Sequence, residues 1–97
     1  VEELNKQLTD ALNSAYNRTM DEFPAMKMFQ VEVLKVIRNI AIVQAMKHKE
    51  SYRQKVERTC EFMNREGVEI LIAGCTWSKI MGQPVGCDVD ERPGRNN

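Results

Sequence analysis

Val1, Leu4, Leu8, Ala11, Leu12 and Ala15 recur at spacings of three and four with polar residues between them, the pattern of a helix with one apolar stripe. This predicts a first helix over 1–19, with Tyr16 beside the stripe. It should fail before Pro24, which disfavours helical geometry at Phe23 and suits the first turn of a new helix. Asp21 and Glu22 stand where the positive end of that new helix favours acids. A short turn here implies antiparallel neighbours.

The second stretch, 24–46, is apolar on more than one side. Met26, Phe29, Val33, Val36, Ile37 and Ile40 share a broad face, whereas Val31, Leu34, Ile42 and Met46 lie largely off it. A helix of this kind must be enclosed on most sides. A short first helix and a polar third one offer too little cover, so a second copy or another partner is expected to complete it. The density of Ile and Val over 31–37 also fits a strand, but the length of the run and its lack of turn residues favour helix.

From 47 to 66 the composition turns polar, leaving a narrow helical stripe of Tyr52, Val56, Thr59, Cys60 and Met63. Two readings stay open. Lys47, His48 and Lys49 suit a helix C-terminus, and Ser51 with Gln54 has capping-box spacing; yet no Gly, Pro or Asn marks a stop, and an unbroken helix over 24–66 would be about 65 Å long. Asn64 and Gly67 then suggest a cap or kink before a further apolar helix over 68–81. There Val68, Leu71, Ile72 and Cys75 form one face, and Ile70, Ala73, Trp77, Ile80 and Met81 form the next. Gly82, Pro84, Gly86, Pro93 and Gly94 break regular structure, so 1–82 reads as a single helical domain and 83–97 as a loose tail. No internal repeat is evident.

Composition adds limits. A chain of 97 residues supports one core, and 42% hydrophobic with 29% charged residues argues against disorder of the whole. There is no 18-residue apolar stretch, and Val1, Glu2 and Glu3 do not resemble a basic signal region, so the expectation is no membrane association and a cytoplasmic setting. Cys60, Cys75 and Cys87 are odd in number and form no CxxC, which favours thiols over a disulfide framework. Net charge is zero but uneven: −3 over 1–22, +5 over 23–65, and −1 over each of 66–82 and 83–97. The acidic first helix should partly neutralise the basic middle.

Candidate chemistry is sparse. Cys75 in 70–76 could end a strand as a nucleophile, but such a thiol needs a base and the one histidine is His48, flanked by two lysines. Cys75 is therefore expected to pack beside Trp77, and His48 to be solvated. The 88–91 run of Asp88, Val89, Asp90 and Glu91 lacks the glycine and distant glutamate of a calcium loop. No catalytic residue, cofactor or metal ligand is assigned. Lys47, Lys49, Arg53, Lys55 and Arg58 are the densest basic set, interleaved with Glu50 and Glu57; nucleic-acid or nucleotide binding through 47–58 is the alternative function they raise.

The preferred reading is an all-α protein: a short first helix packed antiparallel on one or two long ones as a hairpin or bundle, completed by oligomerisation. It is expected to be non-enzymatic and to bind protein as an adaptor, inhibitor or subunit. Val31, Val36, Ile40, Ile42, Trp77, Ile80 and Met81 are the expected interface residues, because surplus apolar surface on a soluble protein marks contact.

Overall fold

The computed structural model of the protein describes residues 2–47 and 49–82. Every regular element among them is helical: α1 spans Glu2–Glu22, a 3₁₀ segment spans Pro24–Phe29, and α2, α3 and α4 span Gln30–Ala45, Tyr52–Met63 and Val68–Ile80. The chain is all-α, and both 31–37 and 70–76 are helix rather than strand.

The lengths differ from expectation in two places. The first helix is not short: it has 21 residues and is the longest of the described helices. Among the residues that precede it, Pro24 disfavours helical geometry only at Phe23. Phe23 leaves the helix at φ −130° while its N–H still reaches the Thr19 carbonyl at 2.8 Å. The second stretch is also divided, because Pro24 starts a 3₁₀ segment and Phe29, at φ −118° and ψ 38°, separates it from α2.

The unbroken helix over 24–66 is absent. At the end of α2 the Met46 N–H is shared between the Ile42 and Val43 carbonyls, and a new helix starts at the capping box. The Gln54 N–H donates to Ser51 Oγ at 3.3 Å, and the Ser51 N–H donates to Gln54 Oε1 at 3.2 Å. Two amide donors of the helix start are thereby satisfied. Ser51→Ala should lower unfolding stability by about 1 kcal/mol and Tm by about 5 °C; an unchanged denaturation midpoint would mean the cap does not define this boundary.

Between α3 and α4 the backbone turns at Gly67, whose φ of 93° is left-handed. A Cβ there would meet nothing within 4 Å, so glycine is favoured by backbone strain and not by space.

α1 and α2 are antiparallel. Near their turn Gln30 Nε2 donates to the Tyr16 hydroxyl at 2.8 Å, and at the far end Leu8 faces Ala41 and Ala45. α3 runs in the same direction as α1, since Tyr52 donates to Asn5 at one end and the Met63 carbonyl accepts from Arg18 at the other. α3 and α4 each pack on both α1 and α2 and touch one another little. The short dimension of 21 Å is about two helix diameters.

Val33, Ile37, Ile40, Met63 and Ile72 lie fully buried where the four α-helices meet. Three buried threonines, Thr19, Thr59 and Thr76, donate to the carbonyls of Ala15, Lys55 and Ile72 at 2.8 Å each. Each hydroxyl is satisfied within its own helix, which removes most of the cost of burying it. Arg18 joins three helices from the edge: it donates to Ser14 Oγ at 2.8 Å, to the Met63 carbonyl and to Glu69 Oε1 at 3.4 Å.

Candidate protein-docking surfaces

The structure divides the expected interface residues. Val36 and Ile40 are 6% and 1% exposed, against 57% and 56% for Val31 and Ile42. The first two are consumed by the core of the single chain, because α1, α3 and α4 together cover the face that one short helix could not. Val31 and Ile42 remain on the outer side of α2, with Met28 and Met46 exposed on the same helix or its approach. On α4 and at its C-cap, Trp77 and Met81 are about half exposed and Ile80 is half-buried.

α4 carries a more ordered feature than its composition suggested. Ile70, Gly74, Trp77 and Met81 are all exposed, and their spacings of four, three and four place them on one line along the helix. The opposite face, with Val68, Ile72, Cys75 and Thr76, is buried. Ile70 is as exposed as any of these and belongs to the stripe. Gly74 is unusual here. It sits in mid-helix without a positive φ, and a Cβ added to it would meet nothing within 4 Å. Glycine in that place costs about 1 kcal/mol relative to alanine, and nothing among the described residues requires it.

A second feature is a cleft of about 210 Å³ between the start of α1, the end of α2 and the start of α3. Its floor is set by small residues: Ala41 and Ala45 are one turn apart on α2, and opposite them stand Leu8, Val56 and Thr59. Longer side chains on α2 would have interdigitated with α3. The rim is large and apolar, formed by Ile42, Met46 and Tyr52, all exposed. Tyr52 is fixed by its hydrogen bond to Asn5, and Lys55 is the one charged residue among the described residues that line the cleft.

The basic residues do not act as one set. Arg58 is held by Glu50, its Nε donating at 3.1 Å and its Nη2 to the second carboxylate oxygen; this pairing holds the guanidinium above its ordinary pKa. Lys47, Lys49, Arg53 and Lys55 take part in none of the ion pairs among the described residues. His48 and the 83–97 segment, with Cys87, lie outside the described residues. Cys60 and Cys75 are thiols. Cys60 donates to the Gln7 carbonyl at 3.5 Å, and burial pushes its pKa up, which disfavours the thiolate.

Among the described residues no three metal-ligating side chains converge, and no helix is long and apolar enough to cross a membrane. No protein-family model, curated protein or solved structure matches this chain.

Proposed function

We propose that this protein is a small helical protein-binding module, an adaptor, inhibitor or subunit without a catalytic step of its own, and that it pairs with a second copy through the outer face of α4. The observation that carries this reading is the stripe of Ile70, Gly74, Trp77 and Met81. Its spacing reads the same in both directions, so an antiparallel copy sets Trp77 against the partner copy's Gly74 and Ile70 against its Met81, each pairing occurring twice. The largest side chain then meets the smallest. Such a two-fold contact closes on itself and stops at a dimer, and close approach at Gly74 would offset the helix propensity lost there. The thiols at Cys60 and Cys75 fit a reducing, cytoplasmic setting.

Sedimentation equilibrium tests the pairing. A dimer with Kd on the order of 1 to 100 µM is expected for a contact made by one helix face, and a monomer throughout that range would sink the idea. Gly74→Ala gives an independent check, because its two effects have opposite signs. It should stabilise the folded chain by about 0.4 to 1 kcal/mol and yet weaken dimerisation about fivefold or more by holding the helices apart. Equal or tighter association in that variant would show that Gly74 is not at a helix crossing.

A further inference from the structure

We infer that the cleft between α1, α2 and α3 is a binding site for an acidic amphipathic helix of another protein, which inserts one large apolar side chain. This does not rest on the α4 pairing, since no residue of the stripe lines the cleft. Size comes first. A dry cavity of about 150 Å³ is enough for benzene, whereas sites for drug-sized molecules run to roughly 300 Å³ and more. At about 210 Å³, the cleft suits a single Phe, Leu or Ile side chain better than a whole small molecule.

The walls point to the same occupant. Ala41, Ala45, Leu8 and Val56 offer an apolar seat, and Ile42, Met46 and Tyr52 hold three large exposed apolar side chains around its mouth. A helix laid across this rim would cover surface that otherwise faces water, the common arrangement of a helix in a groove. An anchor seated in a pocket with apolar contacts around it is also how binding energy concentrates at small interfaces.

Charge sets the sign of the partner. Lys55 lines the cleft, Lys47 and Lys49 lie on the connection that leads from Met46 to α3, and Arg53 lies in the first turn of α3. These four cations take part in none of the ion pairs among the described residues, whereas Glu50 is engaged by Arg58. An acidic helix would supply the missing carboxylates around its anchor and be steered toward the site. Nucleic acid would use the cations but leave the apolar seat empty, so the cleft favours a peptide.

The probe is a displayed library of helical peptides selected for binding to the full chain, with a 20-residue single-stranded DNA as the competing ligand. Selected peptides should be acidic and carry one large apolar residue whose change to alanine weakens binding at least tenfold. Ala45→Phe, which fills the seat, should abolish their binding. Lys55→Glu, at a half-buried position lining the cleft, should weaken it about tenfold with an unchanged circular dichroism melt, so the result does not depend on whether Ala45→Phe folds. Trp77→Ala should leave peptide binding as it was, which separates this site from the α4 pairing. The inference is overturned if no peptide is enriched or if those enriched lack acidic residues. Indifference of the selected peptides to both Ala45→Phe and Lys55→Glu would equally reject it. Displacement by the DNA at about 150 mM salt would reassign the basic residues to nucleic acid.

Discussion

Ile40→Ala should cost this protein roughly 3 to 4 kcal/mol of folding stability, by the lost burial of the side chain and the hollow left behind it. Ile40 is 1% exposed and belongs to the cluster that joins α2 to Ala15, Phe62, Met63 and Ile72. Every helix contributes to that cluster, so no single one can shift to fill the gap without losing contacts elsewhere. Tm should fall by roughly 12 to 30 °C. The loss should also be the same across about a tenfold range of protein concentration, because the contacts removed lie within one chain. A loss that shrinks as concentration rises would place Ile40 between copies, as the sequence pattern alone suggested.

Trp77→Ala should do the reverse. The indole is half exposed on the outer side of α4, so folding stability should change by less than about 1 kcal/mol. Association should weaken by roughly 2 to 4 kcal/mol, since a central tryptophan in a dry contact carries a large share of the binding energy. That is a shift of roughly 30-fold to nearly 1000-fold in dimer Kd, readable by sedimentation alongside a chemical melt. A variant that sediments like the parent, or that unfolds as readily as Ile40→Ala, would remove Trp77 from the proposed interface.

The two substitutions mark what the sequence could and could not disclose. Local rules were legible. Pro24 separated two helices, Ser51 and Gln54 capped a third, and Gly67 divided it from a fourth, each through a backbone group satisfied or strained within a few residues. Periodicity also separated Val31 and Ile42 from Val36 and Ile40 on α2. What it could not give was which side the chain itself would cover. That depends on α1, α3 and α4 meeting across many residues of sequence, which the periodicity within one helix does not report. The end of α2 at Ala45 was ambiguous in the sequence, because no Gly or Pro marks it and only Lys47, Lys49 and the Ser51–Gln54 spacing favoured a stop over one continuous helix. The cleft is harder still to see, since Leu8, Ala45 and Val56 are unremarkable in their own segments and matter only when three helices bring them together. Ile70 and Gly74 were in plain view at helical spacing with Trp77, but an unpaired glycine in mid-helix gains meaning only when the space around it is known to be open.

The three buried threonines have a consequence for how this protein can change over generations. Their hydroxyls bond to carbonyls of their own helices, while the polar links between helices, such as those of Arg18, Tyr16 and Tyr52, lie part-buried or exposed. The hydroxyls of these three threonines therefore tie no residue of one helix to a particular residue of another. Selection acts there on volume and apolar character, and Ile, Leu, Val and Met can replace one another in compensating sets at modest cost. Descendants of this chain could exchange most of their interior residues while keeping the same arrangement of helices, and their common origin would then be read more readily from Pro24, the Ser51–Gln54 box and Gly67 than from the core.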